Sequence, residues 1–335
     1  MNYESEETLA KINLALWQQE PSDLPVEPGS APFLFGANGV RVVAQGDSWF
    51  NYPPGIDIIK WLKLTSGYRI RNFATAGDTL ENMIYGTQIN EGAWTRDPVE
   101  MAAVLDEIRT TQPSFFLFCG GGNDIVGEQL DGFLNHASSN PASLLRDEFL
   151  DYTVNTVFKG AYERMIAQVQ QANPLIHILF HGYGRAIPTG KAVINIGPLR
   201  IIGPWLRPAL TRKNILDPAA QRLLMAEIAN RFNVMLQGLT AGQPRLHYLD
   251  LRDEIRDDDW INETHLTSFA HRRVAALFEA KMNALLPPGL VAQQTQAKAT
   301  TLAAFQALER SLDNQASASP GKRKARQDDL RAPAV

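Results

Sequence analysis

The chain has 335 residues, 44% of them hydrophobic, and a formal net charge of −4. This charge balance provides no basic field for a nucleic acid, so we expect no nucleic-acid partner. The single cysteine, Cys119, excludes an internal disulfide, and the six histidines form no metal-ligand spacing such as HExxH, so we expect no metal and no cofactor.

The first forty residues differ in character from the rest of the chain. Residues 4–18 predict an amphipathic helix, and the proline-rich run 21–32 predicts a linker. The N-terminus is acidic, without a basic region followed by an apolar core, and no run of eighteen apolar residues occurs. We therefore expect no secretion signal, no transmembrane segment and a cytoplasmic location, with export by a signal-independent route as the alternative.

From Arg41 onward, short apolar runs alternate with helical patterns. The predicted strands are 42–45, 68–74, 114–119, 175–181 and 245–249. The predicted helices are 56–64, 80–88, 99–109, 145–172 with one break, 218–239 and 268–286. Strands that are apolar on both faces and alternate with helices indicate an α/β fold with a five-stranded parallel sheet, covered by helices on both sides.

Two segments interrupt or follow this alternation. Residues 182–214 are rich in Gly, Pro and aliphatic side chains, and a connection of this length is usually functional. It is either a lid over the site or a surface for a homo-oligomer. After residue 287 the chain is polar, with Leu302, Phe305 and Leu308 on one face of a helix that offers a second oligomer contact, and with a disordered end.

These observations predict that the polypeptide has three parts. Residues 1–39 are an N-terminal extension, residues 40–287 are the main domain with an insertion at 182–214, and residues 288–335 are a C-terminal extension.

Polar motifs follow the predicted strands. GDSW (46–49) comes after the first strand, NFATAGDT (72–79) after the second and GGGND (120–124) after the third, and WINETHLT (260–267) precedes the closing helix. Because ligands bind beyond the carboxyl ends of parallel strands, we expect these four segments to form one site.

The residues in these motifs suit acyl transfer. The Ser48 hydroxyl becomes a nucleophile when a base takes its proton, and His265, just before a helix, is the candidate base. An oxyanion needs donors, and the candidates are the Ser48 N–H at an expected helix start, the Gly77 N–H and the Asn123 side chain. The alternative for Ser48 is a helix N-cap.

The ordered blocks GDSW, Gly77 in ATAGDT, GGND and ETHLT resemble those of the SGNH (GDSL-type) hydrolases over about residues 40–286. The resemblance implies a flavodoxin-like, three-layer α/β/α sandwich and a serine esterase mechanism. It also implies Ser48 as the nucleophile, Gly77 and Asn123 as oxyanion donors and His265 as the base.

One position departs from the family pattern. The family usually has Asp three residues before the histidine, and this chain has Asn262. An amide can orient an imidazole but cannot neutralise the imidazolium. The alternatives are a backbone carbonyl that orients His265, substitution by Asp259 or Glu263, or a slow or inactive protein; we expect a working Ser–His pair.

Neighbouring residues have supporting roles. We expect the carboxylates of Asp47 and Asp124 to bind loop amides. The aromatic side chains expected to line the substrate site are Trp49, Phe50, Tyr183 and Trp205, for which core packing is the alternative.

The sequence therefore predicts a hydrolase of small, lipid or carbohydrate acyl esters. One alternative is a catalytically impaired binding protein on the same fold, which Asn262 would explain. A metallophosphoesterase is a further alternative, but GDSWF lacks the second Asp and GGGND lacks the His of that chemistry.

Overall fold

A computed structural model describes residues 12–13, 38–96, 98–195 and 200–318. In chain order the strands are β1 (Arg41–Gln45), β2 (Arg69–Asn72), β3 (Ile89–Asn90), β4 (Thr95–Arg96), β5 (Phe115–Phe118), β6 (His177–His181), β7 (Val193–Asn195), β8 (Arg200–Ile202) and β9 (Leu246–Leu249). The α-helices are α1 (Ile58–Thr65), α2 (Leu80–Tyr85), α3 (Glu100–Thr111), α4 (Leu130–Phe133), α5 (Asp147–Tyr152), α6 (Lys159–Ala172), α7 (Arg207–Arg212), α8 (Pro218–Leu239), α9 (Ser268–Leu285) and α10 (Pro288–Ala318).

The main sheet is parallel and has the order β2-β1-β5-β6-β9. Val43 of β1 pairs with Arg71 on one side and Phe116 on the other. Counting only these five strands, the order is 2-1-3-4-5, the flavodoxin-like arrangement. The chain reverses its direction of winding between β1 and β5, and a ligand site is expected at this switch point.

Alternate side chains of the strands enter two separate cores, one on each face of the sheet. Phe116 and Phe118 pack with residues of α3, α6 and α8. Phe115 and Leu117 face the opposite side, where α1, α9 and α10 contribute buried side chains. This arrangement is the three-layer α/β/α sandwich that the alternating pattern and the family resemblance predicted.

Several local features confirm, shorten or add to the predicted elements. The predicted break in helix 145–172 is a π-helical stretch, Thr153–Phe158, between α5 and α6. The helix predicted over 80–88 ends at Tyr85, because Gly86 adopts a φ of 70° and its N–H bonds to the Asn82 carbonyl. The antiparallel pairs β3–β4 and β7–β8 are too short to give a periodic pattern.

The C-terminal region contributes to the core. Phe305 and Leu308 of α10 are buried, and the Phe305 ring meets the Trp61 ring of α1 edge-on at 6.5 Å. The shared helical face predicted for this region is therefore confirmed at these two residues. Of the predicted helix 4–18 the structure describes Ile12 and Asn13 alone, and Ile12 is buried. The run 21–32 and the tail after 318 lie outside the described residues.

Among the described helices, none has the length and apolar character needed to cross a membrane.

Candidate active site

Ser48 lies on a tight turn at the carboxyl end of β1. The Asp47 carbonyl accepts hydrogen bonds from the N–H groups of Phe50 and Asn51, both at 3.0 Å. At Gly46 an added Cβ would lie 2.4 Å from the Cys119 sulfur, so only glycine lets the ends of β1 and β5 approach this closely. The helix-cap interpretation of Ser48 is wrong, as is the expected helix start, because α1 begins ten residues later and is capped by Asp57.

The loop before α9 brings a histidine to this serine. A bridge between Trp260 and Leu266 closes the loop, and the Thr267 side chain caps α9. His265 Nε2 lies 2.9 Å from Ser48 Oγ, although 217 residues separate them in sequence. Both residues are largely buried, with 9% of Ser48 and 7% of His265 exposed, so a hydrogen bond between them is shielded from water.

Asn262 sets the tautomer of His265. Its side-chain oxygen accepts hydrogen bonds from the backbone N–H groups of Thr264 and His265, each at 3.0 Å. Since backbone N–H groups only donate, the acceptor must be Oδ1 and not the amide nitrogen. The same oxygen lies 3.0 Å from His265 Nδ1, so Nδ1 carries the proton and Nε2 is free to accept one from Ser48.

Aromatic rings enclose the imidazole. Tyr52 stacks on His265 with 4.4 Å between ring centroids, and Trp205 meets it edge-on at 5.7 Å. Burial among these rings lowers the pKa of His265 to about 4, because a charged imidazolium is poorly solvated there. The ring is therefore neutral at pH 7 and able to act as a base.

Two loops supply candidate oxyanion donors. Gly77 has a φ of 84°, which disfavours a side chain, and the space where a Cβ would point is open. Asn123 Nδ2 donates one hydrogen to the Asp78 carbonyl at 2.8 Å, and this leaves its second hydrogen available. The Asp78 contact ties the loop after β5 to the loop after β2, so that Gly77 and Asn123 are held as one unit.

Asp47 and Asp124 bind backbone amides, as the sequence analysis predicted. Asp124 accepts the N–H groups of Leu80 and Glu81 at the start of α2, and burial raises the pKa of Asp124 to about 6. Asp47 accepts the Trp49 N–H at 2.9 Å and the Tyr183 hydroxyl, and burial raises its pKa. Both carboxylates stabilise the loops that carry the candidate donors.

Asp259 and Glu263 do not replace the missing aspartate. Asp259 pairs with Arg273 and accepts the Arg256 N–H at 2.7 Å. Glu263 is fully buried and accepts four backbone N–H groups at 2.6–3.1 Å, from Gly190, Trp205, Leu206 and Arg207. Among the bonds of the described residues, the side-chain partners of His265 Nδ1 are instead Asn262 and Thr264.

Glu263 instead connects the loop that carries His265 to the 182–214 segment. Three of its four donors, Trp205, Leu206 and Arg207, lie at the start of α7, where the free N–H groups of a helix favour a negative charge. Trp205 is thereby held against His265. Sequence reasoning considered Glu263 only as a partner of the histidine, because the long-range contact leaves no local pattern.

An apolar cavity of about 100 Å³ begins at Ser48 and Asn123. Trp49 and Tyr183 line it, as expected, whereas Phe50 is fully buried against His181 and Phe278 and does not. Trp205 contacts the His265 ring and is not part of the cavity wall. Sequence analysis did not identify the deeper wall, because its α8 residues follow an ordinary helical core pattern; they include Met225, Ile228 and Phe232.

Among the described residues, no group of three or more His, Cys, Asp or Glu side chains is arranged to hold a metal ion. A metallophosphoesterase site is therefore not assembled by these residues.

No protein-family model matches the sequence, and no curated protein matches it. Similar solved structures include the lipase Lip_vut3 from a goat rumen metagenome, a carbohydrate acetylesterase family member from Sinorhizobium meliloti and the periplasmic domain of a lipopolysaccharide acetyltransferase from Salmonella ser. Paratyphi A. Their sequence identities are 11%, 13% and 11%, and their TM-scores 0.43, 0.43 and 0.42. The matches cover 72%, 74% and 73% of this chain and 96%, 99% and 84% of the others. At these values the likeness assigns neither a family nor a reaction to this chain.

Proposed function

We propose that this protein is a serine hydrolase of acyl esters, of the SGNH (GDSL-type) class. The observation that carries the proposal is the continuous hydrogen-bonded chain from Ser48 Oγ to His265 Nε2 at 2.9 Å and from His265 Nδ1 to Asn262 Oδ1 at 3.0 Å. The order of the GDSW, Gly77, GGND and ETHLT motifs supports the class.

The first half of the reaction transfers the acyl group to the enzyme. His265 Nε2 takes the Ser48 proton while Oγ attacks the ester carbonyl carbon. The carbonyl oxygen becomes negatively charged and accepts hydrogen bonds from the N–H groups of Ser48 and Gly77 and from Asn123 Nδ2. The loss of one such donor typically raises the barrier by about 2.7–4 kcal/mol.

The second half releases the acid. By then the protonated His265 has given its proton to the departing alkoxide, which completes the first half. The neutral ring takes a proton from a water molecule that attacks the acyl carbon, and it returns this proton to Ser48 Oγ as the bond between Oγ and the acyl carbon breaks. Asn262 keeps the imidazole oriented through both steps but does not offset the positive charge of the imidazolium. We therefore expect this enzyme to turn over more slowly than one with a Ser–His–Asp site.

Asn262 also motivates the alternative of an impaired binding protein. Its oxygen faces Nδ1 and leaves Nε2 as the acceptor for Ser48, which is the arrangement that catalysis requires. This orientation favours an enzyme over a binding module. The substrates that we propose are small, lipid or carbohydrate acyl esters.

Covalent labelling tests the nucleophile. A fluorophosphonate probe should label the wild-type protein at Ser48, and p-nitrophenyl acetate should be hydrolysed. Ser48→Ala should abolish both signals, because no other hydroxyl lies at His265 Nε2 among the described hydrogen bonds.

The exposed Ser139 provides a matched control, and Ser139→Ala should label and turn over like the wild type. Absence of both labelling and hydrolysis in the wild-type protein would refute the proposed function.

A further inference from the structure

We propose that the cavity beside Ser48 binds the acyl chain of the ester and selects chains a few carbons longer than acetyl over acetyl groups. This inference rests on the proposed function and names its substrate class. The cavity continues directly from two groups of the proposed reaction centre, Ser48 and Asn123. A carbonyl held by them would direct one of its substituents into the cavity.

The wall of the cavity is suited to a hydrocarbon chain. Most of its side chains beyond the reaction centre are aliphatic or aromatic. The buried ones come from the loop after β5, from α4, from the start of α7 and from α8; they include Ile125, Leu130, Leu206, Met225, Ile228 and Phe232. Burial of apolar groups against such a wall is favourable, and a sugar hydroxyl there would lose its hydrogen bonds to water.

Two glycines in the loop after β5 bring the reaction centre against this wall. A Cβ on Gly121 would lie 3.0 Å from the Phe232 ring, and a Cβ on Gly122 would lie 2.9 Å from the Tyr183 ring. The close packing leaves no room for side chains at either position. The packing of Gly121 against Phe232 and of Gly122 against Tyr183 therefore sets the width of the opening beside Asn123 through which an acyl chain enters the cavity.

The part of the ester inside the cavity is the acyl group and not the alcohol. The far wall consists of buried side chains, which include Leu130, Met225 and Ile228. The alcohol must leave after the first step, and a water molecule must take its place at His265. The acyl group stays attached to Ser48 during this exchange, so it is the part that a pocket beside Ser48 can retain.

The volume of the cavity indicates how long an acyl chain it can hold. A water-sized group takes up roughly 30 Å³ in a packed liquid, and a cavity of about 150 Å³ is filled by a ligand as small as benzene. The cavity of about 100 Å³ therefore has room for on the order of three or four methylene-sized groups. We expect the best substrates to carry acyl chains of roughly four or five carbons, counting the carbonyl carbon.

A series of p-nitrophenyl esters with acyl chains from acetyl to dodecanoyl tests this assignment. The value of kcat/KM for the wild-type protein should rise by up to about fourfold per added methylene and then fall once the cavity is full. A parallel series of acetate esters with lengthening alcohols should show a much weaker dependence. A maximum at acetyl, or a steeper rise along the alcohol series, overturns the inference.

Variants of α8 test the position of the pocket. Met225→Trp fills the cavity, so the ratio of pentanoyl to acetyl kcat/KM should fall at least tenfold. Met225→Ala enlarges the cavity and should move the maximum to longer chains, which keeps the test decisive if the tryptophan variant does not fold. Equal changes for all esters in both variants would contradict the assignment.

Leu223 lies on the same helix with 72% of its surface exposed, and Leu223→Trp should leave the chain-length profile unchanged. The two proposals fail differently in these experiments. Hydrolysis that depends on Ser48 but not on chain length would remove the pocket assignment alone, whereas no hydrolysis of any ester would remove the proposed function.

Discussion

At the scale of single residues, the orientation of Asn262 decides what the site can do. An amide beside a catalytic histidine is harmful when its NH₂ group faces the ring, because the ring then adopts the wrong tautomer. Here the backbone N–H groups of Thr264 and His265 require an oxygen at that position. The substitution thus removes a charge without reversing the imidazole.

The position of the Asn262 oxygen predicts what a carboxylate at residue 262 would do. Asn262→Asp places a negative charge near Nδ1, which stabilises the imidazolium and raises the pKa of His265 from its value of about 4. The acid limb of kcat/KM should move up by roughly 1–3 pH units. At pH 8 kcat should rise by about ten- to a hundredfold, less than the ~10⁴ seen when the tautomer is also wrong. Activity of the variant across pH 4–9 provides the measurement.

The exposed Asn140 serves as the control, and Asn140→Asp should leave the acid limb in place. An unchanged acid limb in Asn262→Asp would show that residue 262 does not contact the catalytic ring in solution.

At the scale of elements, the site consists of loops at the carboxyl ends of strands, and side-chain contacts hold these loops in register. Asn123 bonds the loop after β5 to the loop after β2, and Asn72 Nδ2 donates to the Phe50 carbonyl in the loop after β1. Glu263 attaches the 182–214 segment to the loop of His265. This attachment favours the lid interpretation of the segment.

Glu263→Gln tests that attachment. The amide has one acceptor atom in place of two, and its NH₂ group would face backbone N–H groups of residues 190–207. The free energy of unfolding should fall by about 3 kcal/mol, because buried donors lose their acceptor. Urea unfolding measures the change, and the exposed Glu91→Gln is the matched control. Equal stability of the two variants would show that the four bonds do not hold the segment.

At the scale of the whole molecule, the sheet separates two cores, and the site lies above their boundary at the switch point between β1 and β5. Trp49 packs against the rings of His181 and His271, both fully buried. Burial lowers the pKa of His181 to about 4 and of His271 to about 3. The fold beneath the site therefore depends on two histidines that remain neutral.

The pH dependence of stability follows from this depression. His181 binds a proton in the unfolded chain below its ordinary pKa of 6.5 but in the folded protein only near pH 4. The contribution of the neutral His181 to the free energy of unfolding is therefore complete above pH 6.5. It is lost as the pH falls from 6.5 towards 4. Burial raises the pKa of Asp78 to about 7 and of Asp124 to about 6, which gives the opposite trend, so the effect of His181 must be read from a variant.

His181→Phe removes this titration within a largely aromatic environment. Relative to the wild type, the variant should gain roughly 2 kcal/mol in unfolding free energy between pH 7.5 and pH 5. Urea unfolding at both values measures the gain, and a difference that does not change with pH would contradict a neutral buried His181. The exposed His136→Phe is the control and should show a smaller change.

The order of residues along the chain was enough to predict the five parallel strands, the two helical layers and the strand ends that carry GDSW, NFATAGDT and GGGND. These features are local: a strand that is buried on both faces is continuously apolar, and the polar residues that follow it stand out. The same local signals identified Ser48, Asn123 and His265 as candidates.

How these segments meet depends on contacts that form only in the folded protein. The oxygen of Asn262 faces His265 because of a loop closed by Trp260 and Leu266, Glu263 binds a segment more than fifty residues away, and Phe50 turns into the core. The cavity wall from α8 has an ordinary helical pattern in sequence. Such contacts join residues far apart in the chain, and hydrophobic periodicity, which reports only whether a position is buried, does not say what it is buried against.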